Sequence, residues 1–373
     1  MHSWKMKTPL DLRRLKVYPL ADRKSMSHIE KILIDPDAPV PPCPDAVRDV
    51  LEDCARQVLK ARRRKAAVIL MFGAHLVKNG AAALIDRLMS LGAITHLATN
   101  GAGAIHDWEF AFQGLSTESV EQNVATGTFG AWDETGRCIH LALLAGGVRS
   151  EGFGVALGRF IHEDGVVLPK PEELEQALRE QPSHPLSPAR AEVLTAMREH
   201  GLTAGYNQVA HPWKAHSIFR CAFHRGIPLT VHPGIGYDII SNHPMFNGAA
   251  IGRAGDMDFR LFGSAVEGLD DGGVVLSIGS AIMAPQVFEK SLSCVNNLRL
   301  QAGRHIVRDH SIYVVDLQDG GNWDWSKGEP PTDNPAYYLR FCKSFSRMGG
   351  AMRYLQCDNV LFIHNLLYRL SGQ

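Results

Sequence analysis

The chain alternates short apolar runs with longer segments in which apolar residues recur at helical spacing, beginning near residue 66. The runs are apolar at nearly every position, which is typical of parallel strands that helices cover on both faces. They are Ala67 to Phe72, Ile94 to Thr99, Ile227 to Val231, Val274 to Ile278 and Ser311 to Leu317. The pattern predicts an α/β fold with a doubly wound, mostly parallel sheet and helices on both faces.

Helical periodicity predicts the elements between these strands. The first helix is predicted at Asp45 to Lys65, with Asp45 available as N-cap. The others are predicted at Ala81 to Leu91, after Gly103, at about Lys214 to Arg225, at Asp256 to Leu269 and at Pro285 to Leu298.

The organisation along the chain is simple. Residues 1–45 are polar and rich in proline, which predicts an N-terminal arm. Residues 46–373 are predicted to form a single α/β domain, with a more polar excursion from the sheet at about residues 151–186. No repeat of fixed period is present, which excludes solenoids and propellers.

Composition narrows the function classes. With 39 Lys plus Arg against 39 Asp plus Glu, the net charge is zero, so nucleic acid is not predicted as a partner. The longest apolar stretches, such as Ala66 to Ala74, fall short of the roughly 18 residues that suggest a membrane span. The seven cysteines are scattered without a CxxC pair, and the N-terminus lacks a secretory signal, so a cytoplasmic location is expected. Histidine, with 17 copies, is the unusual feature.

Glycine-rich segments follow four of the predicted strands, at the edge where open α/β sheets bind ligands. The first runs from Phe72 to Gly80 and offers Gly73, His75, Asn79 and Gly80 for a close approach of backbone to phosphate. Its glycine spacing matches neither a Walker A loop nor GxGxxG, so a tight turn is an equally good interpretation.

The second segment, Thr99 to Glu109, is the most informative. His106, Asp107 and Glu109 place three titratable groups beside the strand end, where acid/base chemistry or contacts to ribose hydroxyls are possible. Alternatively, the two acids complement the helix dipole and the histidine is a cap. The Gly-rich turn itself provides three further candidates for ligand binding, which are Asn100, Gly101 and Gly103.

The third segment brings further histidines to the same edge. His232, Asp238 and His243 lie between Val231 and Pro244, together with Gly234 and Gly236. Imidazoles and a carboxylate are metal ligands, but neither HExxH nor HxH spacing is present, so no metal site is predicted.

Two later segments complete the set. Gly279 and Ser280 follow the strand Val274 to Ile278 and suit another close backbone approach to a ligand. Lys327 lies in the loop Gly320 to Gly328, beside Trp325, and could be a nucleophilic amine if it were buried. A solvated lysine is the ordinary alternative.

The order of these loops resembles the deoxyhypusine synthase-like NAD-binding fold over about residues 66–330. Five segments are typical of that family, in the order SSG-type, TTAGGxEED-type, PxxTDGSxGD-type, GGGxPKHH-type and SWGK. This chain has five counterparts. These are Val77 to Gly80, Thr99 to Gly103 with Glu109 beyond, His232 to Asp238, Gly279 to Ala281 with Pro285, and Trp325 to Lys327. The sequence is also similar to the NAD-binding domain of the LOR/SDH (lysine-oxoglutarate reductase/saccharopine dehydrogenase-like) proteins.

The sequence departs from the synthase at several points. The PKHH element is absent, and the HPGIGYD and IHDWE segments are not the synthase's own. The resemblance implies a Rossmann-like fold, NAD as cofactor with NADP as an alternative, and a homo-oligomer, dimer or tetramer. It further implies that Gly73, Asn79 and Gly80 face phosphates, and that Asp238 or Glu109 contacts a ribose hydroxyl.

The leading hypothesis is an NAD-dependent enzyme that oxidises a small amine- or hydroxyl-bearing metabolite, with His106, Asp107 and His232 as acid/base candidates. The alternatives are a transferase or lyase that uses NAD transiently and forms an imine on Lys327 or Lys78, and a nucleotide-binding protein without catalysis. A metal-dependent hydrolase is a fourth hypothesis.

Overall fold

The computed structural model describes residues 8–372 and contains ten strands in that range. The strands are β1 Ser27–His28, β2 Val68–Phe72, β3 His96–Asn100, β4 Leu115–Ser116, β5 Gly165–Leu168, β6 Gly205–Gln208, β7 Leu229–His232, β8 Val274–Ile278, β9 Ser311–Asp316 and β10 Ala351–Gln356. The helices are α1 Ile29–Ile32, α2 Asp45–Arg64, α3 Ala74–Lys78, α4 Ala82–Ser90, α5 Gly101–Gln113, α6 Val120–Thr126, α7 Asp133–Gly147, α8 Phe153–Glu163, α9 Pro171–Glu180, α10 Ser187–His200, α11 Ile218–Arg225, α12 Gly248–Glu267, α13 Met283–Gln301, α14 Arg340–Ser346 and α15 Asn359–Ser371.

The main sheet has six parallel strands in the order β10-β9-β8-β2-β3-β7. Numbered along the chain, this is the 3-2-1-4-5-6 order of doubly wound dinucleotide-binding folds. The prediction of fold class is therefore confirmed. The direction of winding reverses between β2 and β8, where Phe72 pairs with Ile278. Ligands in such sheets bind in the crevice beyond this switch point.

Helices cover both faces of the sheet, which explains why its central strands β2 and β8 are almost entirely apolar. In β2 all five residues are buried, and their side chains alternate between two cores. Leu70 and Phe72 belong to the core shared with α2, α4, α5, α7, α8, α11 and α15. Ile69 and Met71 belong to the core shared with α12, α13 and α14.

The segment before α2 packs on the body of the protein. Its strand β1 pairs antiparallel with β4, directly after α5, and Leu20 and Ile29 are buried in the larger core. The backbone N–H of Ile34 donates to the carbonyl of Gly80 at 3.1 Å. These contacts bring the N-terminal segment to the carboxyl edge of the sheet.

Several predicted boundaries need correction. Helix α12 begins at Gly248, not at Asp256, because Asn247 caps it by accepting from the Ala250 N–H at 2.9 Å. Pro44 occupies the N-cap of α2, and Asp45 is its first helical residue. The predicted helix Lys214 to Arg225 is a 3₁₀ turn, Lys214–His216, followed by α11.

The long connection between β3 and β7 is largely helical. It contains α7 to α10 and the separate two-stranded sheet of β5 and β6. Among the described residues, no helix is both long enough and apolar enough to cross a membrane.

Candidate functional site

A cavity of about 260 Å³ opens at the carboxyl edge of the sheet, between α5, the end of α3 and the loop that follows β7. It is lined by Arg23, Lys78, Ala102, Ile105, His106, Glu109, Thr117, Glu118, Val120, Phe129, Tyr237, Asp238 and Ile239. Three of the candidates predicted from the sequence, His106, Glu109 and Asp238, therefore share one pocket. This pocket is called the His106 pocket below.

The glycines at the start of α5 allow a carboxylate to approach the helix closely. A Cβ at Gly101 would lie 2.0 Å from a carboxyl oxygen of Asp238, and one at Gly103 would lie 2.2 Å from the Thr99 hydroxyl. Asn100 caps the helix by accepting from the Gly103 N–H at 2.9 Å. The loop is thus rich in glycine because Asp238 and Thr99 occupy the space that side chains would need.

His106 is held by a chain of hydrogen bonds that fixes its tautomer. The Ser116 hydroxyl donates to Glu109 Oε2 at 2.6 Å, which uses its one proton. The His106 Nδ1 contact to Ser116 Oγ at 2.7 Å must then be donated by the ring. A neutral His106 consequently carries its lone pair on Nε2. The residue lines the pocket with a defined proton acceptor.

Glu109 is anchored from the N-terminal segment. Both of its oxygens accept from the Arg23 guanidinium, at 2.7 and 2.8 Å, and each side chain is only 1% exposed. Thr135 also donates to Glu109 Oε1 at 2.9 Å. A buried pair with bidentate geometry and further donors is the arrangement in which two charges tolerate removal from water. The pair fixes Glu109, and through Ser116 it fixes His106.

The site holds two titratable groups with perturbed pKa values. Burial lowers the pKa of His106 to about 4, opposed by the nearby Glu109 charge, so the ring is neutral at pH 7. Burial raises the pKa of Asp238 to about 6, partly offset by the Gly234 N–H that donates to it at 2.7 Å. The Asp238 carboxyl, which titrates just below neutrality, can exchange protons at physiological pH, and the neutral His106 ring has a lone pair that can accept one.

Backbone strain marks the wall of the same pocket. Thr117 has a φ of 66°, a left-handed conformation that β-branched residues rarely adopt. The Thr117 and Ser27 hydroxyls are 2.9 Å apart, and the Thr117 carbonyl accepts from the Met26 N–H at 3.1 Å. Both partners of Thr117, Ser27 and Met26, belong to the N-terminal segment. Backbone strain of this kind clusters at functional sites.

The switch point between β2 and β8 lies at the same edge of the sheet. A Cβ at Gly73 would lie 2.3 Å from the Gly279 carbonyl oxygen, so the two loops meet backbone to backbone. Gly279 has a φ of 58° and lies against the Asn359 side chain of α15. Ser280 Oγ and Asn359 Oδ1 are buried without a hydrogen-bond partner in the described chain. Such orphaned polar atoms fit the hydroxyls and phosphate oxygens of a dinucleotide.

Gly80 and Gly236 also have left-handed backbone conformations that favour glycine. Gly80 has a φ of 79° and packs so closely on the Ile32 carbonyl that a Cβ would lie 1.8 Å from it. Gly236 has a φ of 94°, and a Cβ at Gly234 would meet the Tyr237 ring at 1.7 Å. His75 and Asn79 lie in and directly after α3, beside these turns.

Other predicted catalytic residues do not line the pocket. Asp107 points away from it and caps α11, accepting from the Ile218 N–H at 2.7 Å and from the Ser217 hydroxyl. His232 packs edge-on against Phe262, with ring centroids 5.3 Å apart.

His243 and Lys327 also lie elsewhere. His243 Nε2 is 3.5 Å from Asp133, and its Nδ1 accepts from the Met245 N–H at 3.0 Å. Lys327 is 71% exposed and lies 3.5 Å from Asp324. It is a solvated lysine in this structure.

Three residues that complete the site carry no recognisable signal in the sequence. Arg23 lies in the proline-rich segment, Ser116 in a two-residue strand, and Asn359 at the start of the C-terminal helix. Within residues 8–372, no group of three or more His, Cys, Asp or Glu side chains is arranged to hold a metal ion.

Comparison with known proteins gives remote similarities. No protein-family model matches the chain, and no curated protein matches it. Solved structures similar to it include the apo structure of ArgZ, an arginine dihydrolase from the ornithine-ammonia cycle in cyanobacteria, at 13% identity over 87% of this chain and 32% of that one (TM-score 0.42). The ternary complex of AgrE with ornithine and NAD⁺ is 14% identical over 90% of this chain and 34% of that one (TM-score 0.43).

An LOR/SDH protein from Methanococcus maripaludis S2 is 13% identical over 91% of this chain and 74% of that one (TM-score 0.39). The chain spans about a third of the length of ArgZ and AgrE. The resemblance to deoxyhypusine synthase stays a prediction.

Proposed function

We propose that the protein is an enzyme that binds NAD, or NADP, at the switch point and oxidises a small hydroxyl- or amine-bearing metabolite in the His106 pocket. The observation that supports this most directly is the placement of a tautomer-defined, neutral histidine at the edge of a sheet with dinucleotide-binding strand order. The pocket volume of about 260 Å³ suits a small metabolite better than a large one.

The cofactor, when bound, supplies the hydride acceptor. Gly73 and Gly279 would let it approach the backbone, and Ser280 and Asn359 would supply the polar contacts that their orphaned atoms lack.

His106 accepts the proton that leaves the substrate hydroxyl or amine, at Nε2. The positive charge that then develops on the ring is stabilised through Nδ1–H, Ser116 and the Glu109 carboxylate. Arg23 keeps Glu109 in place without donating to the histidine itself. The role of Ser116, Glu109 and Arg23 is therefore to position His106.

Thermal unfolding with and without dinucleotide tests the binding step. Saturating NAD or NADP should raise the melting temperature of the wild-type protein and of His106→Gln alike, because the ring lies outside the switch point. Absence of any shift with either dinucleotide contradicts the proposal.

Turnover tests the role of the ring. His106→Gln should lose a factor of about 10² or more in kcat, whereas His224→Gln, a substitution of an exposed histidine on α11, should match the wild type. If both variants bind NAD and His106→Gln loses nothing, the protein is a nucleotide-binding module or uses another base.

A second candidate function rests on Lys78, which lines the same pocket. An enzyme that forms an imine on this lysine and uses NAD transiently would be trapped by borohydride in the presence of its amine or carbonyl substrate. A covalent mass gain that disappears in Lys78→Gln favours this candidate. The absence of any mass gain, together with NADH release, favours the oxidoreductase.

A homo-oligomer is also proposed, and light scattering of the purified protein measures it.

A further inference from the structure

Lys78 is the cation of the His106 pocket that lacks a counter-ion. It ends α3 and is half-buried, and no carboxylate oxygen of residues 8–372 lies within 4.0 Å of its ammonium group. It also makes no hydrogen bond to another side chain or to backbone in that range. An ammonium held in a pocket without a partner is a place where an anionic group of a ligand binds.

Three other charged groups of the pocket, Arg23, Glu109 and Glu118, are already engaged. Arg23 is neutralised by both oxygens of Glu109. The Glu118 carboxylate accepts from the Trp132 ring N–H at 2.9 Å and the Gly130 N–H at 3.2 Å, as well as from Asn123. These groups shape the pocket, whereas Lys78 remains available to a ligand.

Lys78 and His106 are near enough to influence each other. Burial is the main reason why the pKa of His106 is low, and the positive charge of Lys78 lowers it further. Asp238 lines the same space, with one oxygen taken by the Gly234 N–H. A cation, a proton acceptor and a carboxyl group thus meet in one small cavity.

Most of the remaining wall is apolar, and Thr117 and Tyr237 are the hydroxyl-bearing side chains in it. Ile105, Val120, Phe129 and Ile239 face the cavity and offer no hydrogen-bonding side chains. A ligand that fills the pocket therefore has a charged end and a compact apolar tail.

We infer that the pocket selects a small carboxylic acid that carries a hydroxyl or amino group on the carbon next to its carboxylate. Lys78 binds the carboxylate, His106 meets the hydroxyl or amine, and the apolar walls enclose the tail. This inference rests on the proposed function, because it assigns the substrate class to the same pocket. It adds a specificity-determining residue, Lys78, that is distinct from the proton acceptor.

Binding measured without dinucleotide tests the inference. The probes are 2-hydroxy-3-methylbutanoate, valine and the methyl ester of each, titrated by calorimetry or ligand-observed NMR. We expect at least one of the two acids to bind about tenfold or more tightly than its ester, because the ester lacks the charge. Comparing the hydroxy acid with the amino acid then tells which of the two groups the pocket prefers to bind.

Variants identify the lysine. Lys78→Gln should weaken binding of the acid about tenfold or more and leave the ester unchanged, and Lys78→Arg should retain most of the acid affinity. Lys60→Gln, a change of an exposed lysine on α2, is the matched control and should behave as the wild type. Unchanged melting temperatures show that the variants are folded.

Three results overturn the inference. The first is that the wild-type protein binds neither acid, and the second is that the esters bind as tightly as the acids. The third is that Lys78→Gln protein binds the acid with wild-type affinity. If Lys78→Gln instead loses the NAD-induced thermal shift and binds the acid normally, Lys78 belongs to the cofactor. The wild-type thermal shift with NAD separately decides the proposed function, so the two failures are distinguishable.

Discussion

The ion pair between Arg23 and Glu109 allows a quantitative test of how the site is held together. Replacing Arg23 by Met removes two hydrogen bonds, of 2.7 and 2.8 Å, from a carboxylate that is only 1% exposed. Breaking a buried pair on one side costs about 3–5 kcal/mol, because a charge remains without its partner. Ser116 and Thr135 still donate to Glu109, so we expect a loss near the lower limit, about 3 kcal/mol.

The double variant Arg23→Met with Glu109→Gln separates charge from packing. It leaves no charge buried, so it should be more stable than the single Arg23→Met variant by about 1.5 kcal/mol or more. Urea unfolding at pH 7, followed by tryptophan fluorescence, measures both values. A single-variant loss below about 1 kcal/mol, or a double variant no more stable than the single one, would refute the reasoning.

Three further predictions concern other parts of the site and its support. Asp258 is a buried residue of α12 that accepts from the Val231 and Gly154 N–H groups at 2.7 and 2.9 Å. Burial raises its pKa to about 7, so between about pH 4 and 7 the folded protein holds a proton there that the unfolded chain has released. The wild type should therefore lose stability relative to Asp258→Asn as pH rises through this window. A difference between their urea midpoints that does not change with pH contradicts the prediction. Gly73→Ala should cost about 1–3 kcal/mol and remove the NAD-induced thermal shift, because its Cβ would meet the Gly279 carbonyl at 2.3 Å. Its control is Gly252→Ala in α12, where a Cβ meets nothing within 4 Å and which should gain about 0.5–1 kcal/mol without changing NAD binding. Ser116→Ala should lower kcat about tenfold with little change in KM, because His106 then loses the acceptor that fixes its tautomer; unchanged kcat would remove the relay from the mechanism.

Much of the fold could be predicted from the sequence, because parallel strands that are buried on both faces are apolar at every position. The predicted Val274 to Ile278 is β8 residue for residue. The last strand, β10, was not predicted, because its burial alternates and it contains Arg353 and Gln356. Helix α7 was also missed, since Gly136, Gly146 and Gly147 interrupt the periodicity that would indicate a helix.

The site was predictable only where its residues are near one another in the chain. The Gly-rich segment after β3 indicated His106 and Glu109, and the structure places both of them in one pocket. The same reasoning also selected Asp107, which points away because a helix turns each successive side chain by about 100°. Arg23 could not be found from the sequence, since it is one of three arginines in residues 1–45 and carries no periodic or spacing signal.

The docking of the N-terminal segment also has a consequence for how the protein acquires its site. Arg23 and Glu109 are 86 residues apart, and the Leu20 N–H that donates to Glu134 is 114 residues from its acceptor. Contacts across such long loops form late, because the entropy of closing the loop is lost before the contact returns any energy. Local helices can therefore be complete before the Arg23 guanidinium pairs with the buried Glu109 carboxylate. During refolding, recovery of the His106 pocket should lag behind recovery of helix content.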